Sequence, residues 1–239
     1  MRSSALFWFA LPFLLPQALY VRQTAPRFAD AAGPRSGATG SGPTRRLVAF
    51  GDSIIAGVGA RDLSRALVGR TAAALAEMTR CEVRWSASGH TGATSTDLLR
   101  DHLPHLDGDG ADLFLVSVGV NDVTRLTFRS RWRDNLARLI DALGERSPDA
   151  VIVFTGLPPM GGFPLLPQPL RAAIGHRAAM LDEVAIEALE SRSNAIHVPI
   201  DFDTSPDKFA DDGYHPSEES YVTFGQFVAA AVAPRLADA

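Results

Sequence analysis

The feature that most constrains this chain is an alternation. From Leu47 onward, short apolar runs of strand length trade places with longer stretches of helical period, about five times over. The predicted strands run from Leu47 to Phe50, Glu82 to Trp85, Asp112 to Val118, Val151 to Thr155 and Ile196 to Ile200. The third is a nearly continuous apolar run, as expected of a strand covered on both faces. The predicted helices run from Leu63 to Arg80, Thr96 to Leu103, Arg131 to Leu143, Leu170 to Glu190 and Ser217 to Leu236. Pro104 and Gly144 supply stops, and Ser217 supplies an N-cap. Right-handed crossovers turn this alternation into an α/β fold: a five-stranded parallel sheet with helices on both faces. Ligands of such sheets bind at the carboxyl ends of the strands. The loops after the strands are therefore where chemistry is expected.

The amino terminus has a different character. Arg2 precedes a run from Ala5 to Val21 that is almost wholly apolar. A charged start and a short apolar core describe an export signal, and Ala29-Asp30-Ala31 offers a small-x-small cleavage site. Pro12, Pro16 and Gln17 interrupt the run, which falls short of the ~20 residues of a comfortable membrane span. An uncleaved anchor is the alternative. The expectation is thus a signal peptide or membrane anchor over 1–21 and a protein exported to the periplasm or beyond, or held at a membrane. Residues 22–43 carry Pro26, Gly33, Pro34, Gly37, Gly40, Gly42 and Pro43 and read as a flexible linker. The folded domain is then expected over 44–239.

Charge and cysteine content remove several classes. The formal net charge is −4 and the arginines are scattered among acids, which argues against a nucleic-acid partner. Cys81 is the single cysteine, so an intramolecular disulfide is excluded. His102 and His105 lie near Asp101, Asp107 and Asp109, but Pro104 interrupts the helix end that carries them. The group reads as a solvated loop, and no metal is expected.

Four loops carry reactive residue types. Gly51-Asp52-Ser53 follows the first strand and exposes a hydroxyl at a tight turn. Ala87 to Thr94 follows the second and contains Gly89 and Gly92, which free backbone N–H groups to face a ligand. Gly119-Val120-Asn121-Asp122 follows the third, and its Asn offers an N–H to a developing oxyanion. Asp212-Gly213-Tyr214-His215 precedes the last helix; an acid three residues before a histidine can fold back and orient the imidazole. Each is an ordinary turn on its own. Together they supply every group that acyl transfer needs.

Gly51-Asp52-Ser53, Gly92, Gly119-x-Asn121-Asp122 and Asp212-x-x-His215 resemble the four ordered blocks of the SGNH/GDSL hydrolase superfamily, over about Arg46 to Val232. The resemblance implies a flavodoxin-like three-layer α/β/α sandwich. It implies Ser53 as nucleophile, His215 as general base, Asp212 as the orienting acid in preference to Asp211, and an oxyanion hole built from Ser53, Gly92 and Asn121. It implies no metal or organic cofactor. The chain departs from the family pattern at Ile54, where the family name has Leu, and at Ala87, where the second block often begins with Asn.

The loop from Gly156 to Pro169 bears Met160, Phe163 and Leu165 among prolines, and these are the expected substrate-binding residues. They tilt the expectation toward a small-molecule ester with a short- to medium-chain or aryl group. A cell-envelope carbohydrate O-deacetylase is the enzymatic alternative. A non-catalytic, membrane-tethered binding module is a further one. His90 is a candidate for the edge of the substrate site, and His176 and His197 read as structural.

Overall fold

The computed structural model describes residues 2–26, 28–200 and 203–237, with the side chains of 2–11 and 237 outside that description. In chain order the main elements are α1 (Arg2–Thr24), β1 (Ser36–Thr39), β2 (Thr44–Gly51), α2 (Leu67–Thr79), β3 (Glu82–Gly89), β4 (Leu113–Ser117), α3 (Arg129–Arg146), β5 (Val151–Thr155), α4 (Leu170–Glu190), β6 (Ala195–Val198) and α5 (Glu218–Ala237). Short helical turns fill 95–105, and a five-residue helix, Val120–Thr124, follows β4.

One sheet runs through the molecule in the order β1-β3-β2-β4-β5-β6. Every pairing from β3 to β6 is parallel, while β1 pairs antiparallel with β3. The α/β class is as expected, but the sheet has six strands rather than five. The additional strand comes from the stretch expected to be a linker. Its sequence, Ser36 to Thr39, has no apolar signature to read, because an edge strand needs only its backbone to pair. Gly37 lies opposite Trp85, and a Cβ there would run into the indole ring. Upstream, Ala31 is buried and its N–H donates to the Ala56 carbonyl at 3.0 Å. Ala32 bridges to Asp62, and the Ala87 N–H donates to the Arg35 carbonyl at 2.8 Å. Ordered packing onto the sheet therefore begins near Ala31 and not at Thr44.

All of β4 and β5 is buried, as befits strands covered on both faces. Helix α2 packs against α5, and α3 against α4. Along α3 the buried positions Trp132, Leu136, Leu139, Ile140 and Leu143 recur at helical spacing and form one stripe. Each such side chain stabilises the fold by roughly 1.5–3 kcal/mol through burial. The Trp132 indole N–H is satisfied by the Leu181 carbonyl of α4 at 2.8 Å. Helix α1 turns Leu14, Gln17, Ala18 and Val21 inward. Gln17 clamps the start of α4: its amide donates to the Gln168 carbonyl at 2.8 Å and accepts from the Leu170 N–H at 3.1 Å.

The strand order matters for function. β2 has β3 on one side and β4 on the other, so the connections leaving β2 and β3 run in opposite directions. A crevice opens at the carboxyl end of a sheet where its winding reverses. Ser53 follows β2 and Asn121 follows β4, which places both at that point.

Candidate active site

Ser53 is held by the backbone on both sides. The Asp52 N–H donates to the Ser117 carbonyl at the end of β4, at 2.9 Å, and the Val58 N–H donates to the Ser53 carbonyl at 3.0 Å. The turn sits tightly on β3: a Cβ at Gly89 would run into the Ile55–Ala56 backbone. The hydroxyl of Ser53 is thereby fixed at the top of the sheet, in a residue only 9% exposed.

His215 reaches it from 162 residues away. Its Nε2 lies 3.0 Å from Ser53 Oγ, and its Nδ1 lies 2.6 Å from Asp212 Oδ2. The other oxygen of Asp212 accepts the N–H groups of Tyr214 and His215, both at 2.9 Å, which folds the turn back on itself. A carboxylate can only accept, so Nδ1 carries the proton and Nε2 is the acceptor facing Ser53. Asp211 points to the surface and takes no part.

Two buried carboxyls in the site behave oppositely. Burial works to raise Asp212, but hydrogen bonds from the His215 ring and from the N–H groups of His215 and Tyr214 more than offset it and hold the pKa below the usual carboxylate range. Burial pushes Asp52 up to about 7, with the Ile54 N–H and the His215 imidazole opposing it only in part. Because the folded pKa of Asp52 exceeds the unfolded one, the native state binds more protons between pH ~4 and ~7, and stability falls as pH rises through that window. The Asp52→Asn variant keeps the carbonyl that accepts from Ile54 and cannot ionise. At pH 8 it is expected to melt roughly 5–10 °C above the parent, with the gap closing below pH ~4. Thermal melts of both proteins at pH 4, 6 and 8 check this; parallel curves at all three would refute it.

Gly92 and Asn121 lie in the two neighbouring loops. Asn121 donates its side-chain N–H to the Ala93 carbonyl at 3.0 Å, so its amide is tied to the residue after Gly92. Next to it, the buried Asp122 accepts both the backbone N–H (2.8 Å) and the hydroxyl (2.7 Å) of Ser95. Adjacent residues of the short helix thus clamp one loop, in which Gly92 adopts φ +84°, a left-handed conformation suited to glycine. His215 contacts both Ser53 and Asp212, whereas Gly92 and Asn121 are linked to each other through Ala93.

Of two hollows in this part of the molecule, only the first is lined by Ser53 and His215. One is a small apolar slot of about 40 Å³, lined by Ser53 and His215 with Ile54, Val118, Leu157 and Phe163 among its walls. The other is an open cleft of about 820 Å³ with Gly92, His90, Arg35 and Arg125 among its walls. The three residues expected to bind substrate separate in space. Phe163 lines the slot and stacks edge-on against Tyr214, with ring centroids 5.3 Å apart. Met160 is fully buried in the core. Leu165 is half-buried, bonded through its N–H to the Gly213 carbonyl at 3.2 Å, and is not among the slot's walls. Loop prolines set the course of this segment, so which apolar side chain faces the slot depends on tertiary packing.

His90 lines the cleft and stacks on His102 with ring centroids 3.5 Å apart. His197 is bonded to Asp182 at 2.9 Å, and the same carboxylate oxygen holds the Leu157 N–H at 2.8 Å. Sequence reasoning missed Asp30 and Arg35, which form part of the cleft wall. They fall in a stretch whose composition reads as linker. The pairing of β1 with β3, with the bonds from Ala31 to Ala56 and from Ala87 to Arg35, brings them to the cleft.

A family model described as GDSL-like lipase/acylhydrolase matches residues 49–222. A GDSL-like esterase of Mycobacterium tuberculosis is 30% identical over 87% of this chain and 72% of its own length. Among solved structures, a lipase/acylhydrolase from Enterococcus faecalis superposes with a TM-score of 0.60 at 24% identity, covering 80% of this chain and 96% of that one. A family 3 carbohydrate esterase from Clostridium thermocellum superposes with a TM-score of 0.59 at 18% identity, covering 82% and 98%. At these identities the solved structures speak for the fold alone.

Proposed function

This chain belongs to the GDSL-like lipase/acylhydrolase family and is a hydrolase of ester bonds; from that premise we propose that Ser53, His215 and Asp212 form its catalytic triad and that carboxylic esters are cleaved by acyl transfer to Ser53. The observation that carries the proposal is the single imidazole bridging Ser53 Oγ at 3.0 Å and Asp212 Oδ2 at 2.6 Å. His215 Nε2 takes the Ser53 proton as Oγ bonds to the ester carbon. The carbonyl oxygen becomes an oxyanion, and Asp212 stabilises the imidazolium. The ester C–O bond then breaks, and the alcohol leaves with the proton from Nε2. Water, giving its proton to the same nitrogen, cleaves the acyl-enzyme and frees the acid and Ser53.

The N–H groups of Ser53 and Gly92 and the Asn121 amide are the proposed oxyanion donors. One N–H of that amide is committed to Ala93, which fixes the plane in which the other points. Asn121→Ala is expected to lower kcat about 100- to 1000-fold with little change in KM, the scale of one lost donor. Steady-state kinetics on p-nitrophenyl acetate decide it; an unchanged kcat would remove Asn121 from the site.

The panel that tests the activity is hydrolysis of p-nitrophenyl esters of graded chain length by the purified full chain. No turnover on any of them would end the esterase proposal. We also propose that the N-terminal run directs export or holds the protein at a membrane. Among the described residues, no helix is long and apolar enough to cross one.

A further inference from the structure

The slot beside Ser53 does not end against solid core. Two of its walls, Ile200 and Phe224, are also walls of a second apolar hollow, of about 10 Å³. Ile200 lies just beyond β6, and Phe224 is a buried residue of α5. The second hollow lies between α5, the start of α2 and the ends of β5 and β6, with Leu67, Thr155, Val198 and Phe227 among its other walls. Neither Ser53 nor His215 lines it. Ile200 and Phe224 are therefore a partition, with the triad on one side and an apolar hollow on the other.

The two halves of an ester differ in how long they stay at Ser53. The acyl half is bonded to Oγ from the attack until hydrolysis frees it. The alcohol departs in the first step and water takes its place, so that half needs a route to solvent. A slot whose walls Val118, Leu157, Phe163 and Phe224 are all buried suits the half that stays. Its apolar lining favours hydrocarbon, because a polar group there would lose water and gain few partners. The volume of about 40 Å³ holds roughly three water-sized groups, which is the scale of an acetyl to butyryl chain.

We infer that Phe224 and Ile200 set the acyl-chain length, stopping the chain at about two to four carbons by closing the slot off from the hollow behind them. The inference rests on the triad proposed above and selects short acyl groups within that reading. It also assigns a specificity role to two residues outside the four motif loops. Shortening either side chain joins the two spaces. Phe224→Ala deletes the whole ring, and with the second hollow behind it the slot then accommodates a chain of about eight carbons. Phe227 is half exposed and lines the second hollow alone, so its removal leaves the partition in place.

The test uses the purified full chain and initial rates on two ester series. p-Nitrophenyl acetate, butyrate and octanoate vary the acyl group; ethyl and hexyl acetate vary the alcohol. The parent is expected to favour acetate or butyrate over octanoate at least about tenfold in kcat/KM. Phe224→Ala is expected to lower that preference about tenfold or more, and Ile200→Ala about threefold or more. The ethyl-to-hexyl ratio should stay within about twofold of the parent in both variants, and Phe227→Ala should keep the parent's acyl profile. Each ratio is internal to one sample, so a loss of folded protein does not imitate the shift. Should Phe224→Ala fail to fold, the smaller change Ile200→Ala decides. Octanoate preferred by the parent, an acyl ratio unmoved in both partition variants, a shift in the alcohol series in its place, or a shift in Phe227→Ala would overturn the inference. Ser53→Ala separates the two levels. A long-chain preference of the parent that this substitution abolishes removes only the chain-length inference. Ester cleavage that survives it removes the catalytic reading.

Discussion

Ser53→Ala is expected to lower turnover of p-nitrophenyl acetate by about 10⁵- to 10⁶-fold while the protein folds as before. The loss is large because the hydroxyl is the atom proposed to bond to the ester carbon, and it is the one that lies 3.0 Å from the His215 imidazole. The fold survives because the turn is held by backbone bonds, Asp52 N–H to Ser117 and Val58 N–H to Ser53, and not by the hydroxyl. A residual rate above background is expected, since the proposed oxyanion donors remain. Circular dichroism and a thermal melt establish the fold, and initial rates measure the loss. Activity within 100-fold of the parent would mean that some other group attacks the ester.

Asp212→Asn is expected to cost about 10⁴-fold in kcat, although the substitution is nearly isosteric. The carboxylate now accepts from Nδ1 at 2.6 Å and from two backbone N–H groups at 2.9 Å. The Asn carbonyl can keep the backbone bonds, but its NH₂ then faces the imidazole. A donor there favours the tautomer protonated on Nε2, and that nitrogen can no longer accept from Ser53. KM is expected to stay within a few-fold, because Asp212 does not reach the substrate. The variant also loses stability at neutral pH. The folded pKa of Asp212 is depressed, so the carboxylate contributes stability above its unfolded pKa, and that contribution disappears as pH falls through the folded value. Parent and variant melts should therefore converge in acid. A kcat that drops less than about tenfold would show that the imidazole is oriented by something else.

The parts of this molecule that were legible in the sequence are those with a one-dimensional signature. The strand Val151–Thr155 and the helix Leu170–Glu190 occur at the expected residues, because an unbroken apolar run and a long helical period leave little choice of boundary. Asp212 and His215 were readable because a side chain can fold back over three residues whatever the rest of the chain does. β3 extends to Gly89, past the expected end at Trp85, since Ser86 and Ser88 break the apolar pattern without breaking the ladder. β1 was not readable at all: small residues pairing by backbone at a sheet edge look like linker. The burial that lifts Asp52, the size of the slot and the choice of Phe163 over Met160 and Leu165 depend on contacts between distant segments, which no local pattern encodes.

The burial of Ala31 bears on the proposed export signal. A peptidase recognising Ala29-Asp30-Ala31 needs an extended, accessible backbone, yet in the folded protein Ala31 is enclosed and bonded to Ala56. Cleavage there would have to come before folding. It would discard Asp30, leaving Arg35 without its counter-charge and Thr91 without its acceptor. A trimmed and an untrimmed chain would then carry differently charged clefts.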